Sequence, residues 1–334
     1  MIQVLVLADD VTGALDAGVK FSDAGLYTKV SLLPKIEAAD TEASVLVLCV
    51  PTRHETPEAA YRQVRALSQR AAELGIGCVF KKTDSALRGN IGAELAAVLD
   101  GSGASELFFI PALPAMNRVT IHGIHYIDGV PVHESVFGAD PFEPVTESFI
   151  PARLEKQLPA PVEILTGATP PAPVTAGKRL TVLDCETETG MEELTRTLLA
   201  EGRLHAVAGC SGLAAALANA LSRHAAEAEA EPERERLTVV CGSMNPISLE
   251  QVAYAEKTRF HSISVPVERL LETGLESAEG KAFLDALWTE YSKNEHLLID
   301  TGAANAAHGE LGEEVGKRVA SLLGTILTNL LDRG

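Results

Sequence analysis

The sequence predicts an α/β fold: two α/β domains with largely parallel sheets and an interdomain cleft. Three observations carry this reading. Unbroken apolar runs, such as Val4-Leu5-Val6-Leu7-Ala8 and Val45-Leu46-Val47-Leu48-Cys49, read as strands buried on both faces. Stretches with helical spacing alternate with them, the pattern of a parallel sheet wrapped by helices. The turns after several runs gather acids, hydroxyls and glycines, and in an open α/β sheet ligands sit beyond the carboxyl ends of the strands.

In chain order, strands are expected at 2–8, 27–32, 45–50, 78–82 and 107–110, and helices at 13–24, 57–74 and 91–99. Residues 111–150, rich in Pro, Gly, His and Asp, resist a periodic reading and suggest an excursion with a hairpin at Asp128-Gly129, a good turn dipeptide. The proline-rich stretch 158–178 reads as an extended connection. A strand near 180–184, a helix at 190–201, a strand at 206–209 and a helix at 211–222 follow. The segment 225–236 is charged, lacks large apolar residues and holds Pro232, so it is the expected linker between a first domain, 1–224, and a second, 237–334. A chain of 334 residues is long enough for two domains.

Two turns concentrate polar chemistry. Asp9 and Asp10 end the first strand, and Thr12 and Gly13 open the next helix. Adjacent carboxylates there suit polyol hydroxyls, a metal or a proton in transit. A helix N-cap explains one acid but not two acids with a hydroxyl and a glycine. The second turn runs Lys81-Lys82-Thr83-Asp84-Ser85-Ala86-Leu87-Arg88-Gly89-Asn90. Lys and Arg recognise carboxylate or phosphate, and Asp and Asn recognise hydroxyls. Surface charge clusters are usually solvated, yet these charges interrupt an apolar βα unit. A small, hydroxylated anion fits them. Arg53 and Arg118 are further candidate cations, and Thr52-Arg53 again follows a strand.

Composition narrows the partners. A formal charge of −18 argues against non-specific nucleic-acid binding, and an aromatic content of 4% makes base stacking a minor feature. No apolar run approaches the roughly 20 residues of a membrane span. Met1 leads straight into a strand without a targeting segment, and the five cysteines show no CxxC spacing, so a cytoplasmic location is expected. Gly177-Lys178 lacks the rest of a P-loop, and Gly101-x-Gly103 lacks the third glycine of a dinucleotide turn. His122, His125, His133 and Glu134 crowd one segment, but their spacing is not diagnostic of zinc, and no metal site is expected from them.

The segments LADDVTGALDAG (7–18), KKTDSALRGNIGAEL (81–95) and PALPAMNRVTIHGIHYIDGVPVHES (111–135) resemble the four-carbon acid sugar kinase family. The resemblance is dense in the first half of the chain and sparse in the second. It implies an N-terminal sugar-acid-binding domain and a C-terminal nucleotide-binding domain. The implied reaction is ATP- and Mg2+-dependent phosphorylation of a hydroxyl of a threonate, erythronate or 3-oxo-tetronate type of acid. In that reading Asp10 or Asp84 orients the attacking hydroxyl and takes its proton. Lys82 and Arg88 hold the substrate carboxylate, with Asp9, Thr12, Arg53, Ser85, Asn90, Arg118 and His125 as further substrate contacts. The turn Gly242-Ser243-Met244-Asn245, before Pro246, resembles the family's nucleotide turn, and Gly242, Ser243 and Asn245 are its candidate phosphate contacts. Family members carry a further glycine-rich segment that contributes to ATP binding, and this sequence stops at Leu331-Asp332-Arg333-Gly334, near where that segment would begin. Without it, the alternative is a non-catalytic sugar-acid-binding or regulatory protein. The partner in either case is a small sugar acid, and a homo-oligomer is compatible with the sequence.

Overall fold

The structure, a computed structural model, describes residues 2–37, 40, 42–140, 143–222, 237–243, 246–301 and 313–333. The chain divides into two compact units, residues 1–229 and 230–334. The linker expected at 225–236 lies outside the described residues.

The first unit runs β1 (Val4–Ala8), α1 (Val11–Asp23), β2 (Thr28–Ser31), β3 (Val45–Cys49), α2 (Pro57–Glu73), β4 (Cys78–Lys82), α3 (Ile91–Ser102) and β5 (Glu106–Ile110). It continues with β6 (Arg118–Ile121), β7 (Ile124–Ile127), β8 (Val130–Pro131), α4 (Ile150–Glu155), β9 (Glu163–Gly167), β10 (Arg179–Leu183), α5 (Glu188–Ala200), β11 (Ala206–Gly209) and α6 (Ser211–Ser222). Eight of these strands form one parallel sheet, ordered β2-β3-β1-β4-β11-β5-β10-β9.

Alternation along β1 builds the two faces. Leu5 and Leu7 pack on the side of α2, α3 and α4, with Val64, Ile91, Leu95 and Leu154. Val4, Val6 and Ala8 pack on the side of α1, α5 and α6, with Ala14, Phe21, Met191 and Leu213. The central strands are fully buried, as uninterrupted apolar runs require. Neighbouring strands β1 and β4 lead into helices on opposite faces, α1 and α3. Such a switch point opens a crevice at the carboxyl ends of the two strands. Ala8 pairs with Cys49 on one side and Lys82 on the other, so the turns after β1, β3 and β4 emerge at one level.

The excursion 111–150 is a three-stranded antiparallel sheet, β6-β7-β8. Asp128-Gly129 makes its second tight turn, with φ of 50° and 82°. His122-Gly123 makes the first, with φ of 52° and 73°. Both are two-residue hairpins with positive φ at both positions. The proline-rich stretch 158–178 is not wholly a connection: β9 adds an edge strand to the main sheet. Edge strands tolerate neighbouring prolines, which cannot donate to a ladder.

The second unit contains β12 (Leu237–Cys241), α7 (Pro246–Ala255), β13 (His261–Ser264), α8 (Val267–Thr273), α9 (Ala278–Lys293), β14 (His296–Asp300) and α10 (Glu313–Arg333). Its three strands form a parallel sheet ordered β12-β14-β13. Leu297, Ile299, Leu323 and Ile326 centre its core. Among the described residues, no helix is long and apolar enough to cross a membrane.

Candidate functional site

The turns after β1, β3 and β4 bring three carboxylates onto one guanidinium. Arg53 Nε donates to Asp9 Oδ2 at 2.8 Å, Arg53 Nη1 lies 2.6 Å from Asp10 Oδ2, and Arg53 Nη2 lies 3.9 Å from Asp84 Oδ1. The three acids raise the affinity of Arg53 for its proton against the opposing effect of burial. Gly89, at φ 88°, lets the turn after β4 pass close to this cluster. A Cβ there would sit 3.4 Å from Arg53 Cγ and 3.5 Å from Asp9 Oδ2. Asp10 also caps α1, its Oδ1 accepting from Gly13 N at 2.6 Å. Asp10 therefore serves both the cap and the cluster, and Asp9 the cluster alone.

Asp84 is held by Arg88 through both guanidinium edges, Nε to Oδ2 and Nη2 to Oδ1, each at 3.0 Å. The backbone N–H groups of Ala86 and Arg88 donate to the same carboxylate. Burial alone would push the Asp84 carboxyl up. The bonds and charge of Arg88, helped by Arg53, outweigh burial and bring the pKa down to about 2. Arg88 Nη1 reaches Asp140 Oδ2 at 3.2 Å, and its guanidinium lies 5.2 Å from the Phe137 ring centre. Arg88, expected to hold the substrate carboxylate, thus bridges two carboxylates of the protein.

Two lysines follow each other on β4 and point to opposite faces. Lys81 is fully buried and donates to Leu7 O, Lys82 O and Glu94 Oε2 at 3.2, 2.9 and 3.2 Å. All three of its protons are used, so it ties β1, β4 and α3 together. Glu94 is enclosed too and accepts from the Thr52 hydroxyl. Burial raises its pKa and the Lys81 charge opposes that rise. Lys82 donates to Thr83 O at 3.1 Å and lies 3.9 Å from Asp16.

Arg118, at the start of β6, donates to the Ser85 hydroxyl and stacks 5.2 Å from the centre of the Phe137 ring that Arg88 shares. Its Nε is buried without a partner among the described residues, as are Asp9 Oδ1 and Thr83 Oγ1. Among the described residues, no carboxylate lies within 4 Å of Arg118.

Two expected substrate contacts, His125 and Asn90, have partners within the protein. His125 is fully buried on β7, where alternation turns it inward; its Nε2 lies 3.0 Å from Ser85 O and its Nδ1 3.1 Å from Thr120 Oγ1. Burial lowers its pKa to about 4, so the ring is neutral and supports the β4 turn from beneath. Asn90 precedes α3 and donates to Thr52 O and Glu55 O at 2.9 and 2.8 Å, joining the β3 and β4 turns. Thr12 is exposed in the first turn of α1. In the second unit, Gly242 and Ser243 follow β12, and Asn245 lies outside the described residues. His122 and His133 do not join a metal cluster: among the described residues, no group of three or more His, Cys, Asp or Glu is placed to hold an ion.

Comparison with known proteins places this arrangement. Residues 4–217 match the family described as the sugar-binding N-terminal domain. A D-threonate kinase of Salmonella typhimurium is 27% identical over 99% of this chain and 81% of its own length. A D-erythronate kinase of Heliobacterium modesticaldum is 26% identical over 99% of this chain and 80% of its own. A 3-oxo-tetronate kinase of Methylobacterium radiotolerans is 28% identical, with coverages of 98% and 82%. Among solved structures, a protein of Salmonella typhimurium LT2 shares the fold with a TM-score of 0.77 at 23% identity, covering 99% of this chain and 82% of that one. A domain of unknown function from Bordetella bronchiseptica, solved with bound citrate as a domain-swapped dimer, gives 0.59 at 25%, with coverages of 99% and 79%. On the family match and these relatives, the chain belongs to the four-carbon acid sugar kinase family.

Proposed function

We propose that this protein transfers a phosphoryl group from ATP, with Mg2+, to a hydroxyl of a four-carbon acid sugar. The observation that carries the reading is the run of relatives, named as threonate, erythronate and 3-oxo-tetronate kinases, that align along nearly the whole chain.

The site geometry supports a division of roles. Asp10 is the carboxylate best placed to meet a substrate hydroxyl, because its side chain is 29% exposed against 3% for Asp9 and 10% for Asp84. Arg53 and the Gly13 N–H fix its orientation, and its remaining lone pairs take the hydroxyl proton. Phosphoryl transfer passes through a loose transition state, so positioning and charge neutralisation matter more than a strong base. Lys82 and Arg118 are the cations that bind the anionic substrate, since Arg53 and Arg88 are already occupied by the protein's own carboxylates. Asp84, Arg88 and His125 keep the β4 turn in shape.

In the second unit, Gly242 and Ser243 stand at the carboxyl end of β12 ahead of α7, the strand-turn-helix setting that suits phosphate oxygens. Mg2+ would supply charge neutralisation between phosphate oxygens and takes one or two carboxylates at most from the protein. A homodimer fits the dimeric Bordetella relative. The cytoplasm fits cysteines that are all free, four of them buried.

A coupled ADP-release assay with Mg-ATP and a panel of D-threonate, D-erythronate and 3-oxo-tetronate tests the proposal. Turnover with at least one acid is expected. Absence of turnover with every acid would contradict it.

A further inference from the structure

The turn after β4 runs into α3, and α3 is not capped by its own flanking residue. Asn90, in the N-cap position, makes no side-chain bond to the helix; its amide is turned to Thr52 O and Glu55 O. The cap comes from another element. We propose that Gln157, just past α4, is a positioning residue of the site: it caps α3 from outside the helix and pins the Gly89 turn against the Arg53–Asp9 pair. The inference rests on the kinase reading only for its kinetic readout.

Gln157 Oε1 accepts from Gly92 N at 2.7 Å, and Gln157 Nε2 donates to Gly89 O at 3.1 Å. Gly92 is the second residue of α3, whose N–H an ordinary N-cap side chain would take. The partners dictate the amide orientation, since a backbone N–H can only donate and a carbonyl can only accept. One side chain therefore satisfies an orphan N–H of the helix start and ties down the carbonyl of the turn before it.

The end of α4 is held firmly enough to do this. Ile150 and Leu154 are fully buried in the core shared with α3, and Ile150 N donates to Gly123 O at 2.8 Å. Gln157 N and Leu158 N both donate to Leu154 O, at 2.9 and 3.1 Å, and close the last turn. Gly92 permits the approach: a Cβ there would lie 2.5 Å from Leu154 O and 2.9 Å from Gln157 Cβ.

Gly89 links this contact to the chemistry. At φ 88° it packs beside Arg53 and Asp9, and Arg53 in turn lies 2.6 Å from Asp10, the carboxylate assigned to the substrate hydroxyl. The path runs from Gln157 through Gly89 and Arg53 to Asp10. Asn90, relieved of capping, joins the same turn to the one after β3.

Gln157→Glu and Gln157→Met in the full chain separate capping from positioning. Glutamate keeps an acceptor for Gly92 N but has no donor for Gly89 O, and methionine supplies neither. Gln157→Met is expected to lower the thermal midpoint by about 2–4 °C, the effect of losing a cap in a unit of this size. Gln157→Glu is expected to keep the midpoint, because an acid suits a helix N-terminus. Both variants are expected to move the NMR resonance of the Arg53 Nε–H. Both should also lower kcat for ADP release from Mg-ATP and a four-carbon acid by about tenfold to 100-fold, since a misplacement of about 1 Å can cost that much. The calorimetric affinity for the acid should change little. If Gln157→Met does not fold, Gln157→Glu decides. In a wild type that turns over, a Gln157→Glu protein that keeps either the Arg53 resonance or kcat at its wild-type value overturns the positioning role and leaves a cap only. In a wild type that turns over no acid, the kinase reading fails and the resonance decides alone: a shift retains the positioning role, and an unmoved resonance removes it.

Discussion

Arg53 Nη1 lies 2.6 Å from Asp10 Oδ2, while its Nε holds Asp9 from the same guanidinium. One residue after β3 thus sets the geometry of the pair after β1. Removing it leaves Asp9, which is 2% exposed, as a buried charge without its counterion. Arg53→Ala is expected to cost about 3–5 kcal/mol of stability, the usual penalty for breaking a buried ion pair from one side. Denaturant unfolding measures it, and a loss under about 1 kcal/mol would show that the cluster is solvated.

Asp84 should titrate far below an ordinary carboxylate. Its folded pKa of about 2 is depressed from 3.8, so the stability it contributes is present above pH 4 and is lost as pH falls toward 2. The contribution is about 2 kcal/mol at roughly 1.4 kcal/mol for each pH unit. Carboxyl NMR should place its midpoint near pH 2, and Asp84→Asn should flatten the stability profile across that window. A midpoint at 3.8 or above would remove Arg88 from its assigned role.

His125 gives a second pH signature at higher pH. Its folded pKa of about 4 lies below the ordinary 6.5, so the folded state resists taking the proton that the unfolded state accepts. Stability is full above pH 6.5 and falls as pH drops toward 4. The expected NMR result is an imidazole that stays neutral down to pH 5, and His125→Asn should lack this part of the acid sensitivity. Titration of the ring at 6.5 would mean that it faces water.

Lys81 and Glu94 make a buried pair beneath the site, 3.2 Å apart. Lys81→Met alone strands a buried carboxylate and is expected to cost about 3–5 kcal/mol. Lys81→Met with Glu94→Leu removes both charges and should recover most of that loss. Chemical denaturation of the single and double variants measures the difference. A double variant no more stable than the single one would contradict the pairing.

Much of this is readable in the sequence. Val4–Ala8 and Cys78–Lys82 are strands because their apolar runs allow little else, and the acids and cations after them fall at a switch point because parallel sheets create one. Side-chain pairing was not readable. Spacing shows that Arg88 stands four residues after Asp84, but not that the two are locked together and to Asp140. Nor does it reveal that Lys81 faces a buried glutamate while Lys82 faces the other side of the sheet, until the neighbouring helices are assigned to faces. Nor does the sequence show that His125 is enclosed, which follows from β7 turning that position inward. The strand β9 was hidden by flanking prolines that an edge position tolerates.

The central claim is that Asp10 takes the proton of a substrate hydroxyl during phosphoryl transfer. The most direct test is the rate of ADP release from Mg-ATP and a saturating four-carbon acid by wild type and by Asp10→Asn, with acid binding to both measured by calorimetry. General-base assistance contributes about 10²–10⁴-fold, so kcat should fall by that factor while the affinity for the acid changes little. An Asp10→Asn protein that releases ADP at the wild-type rate would contradict the account.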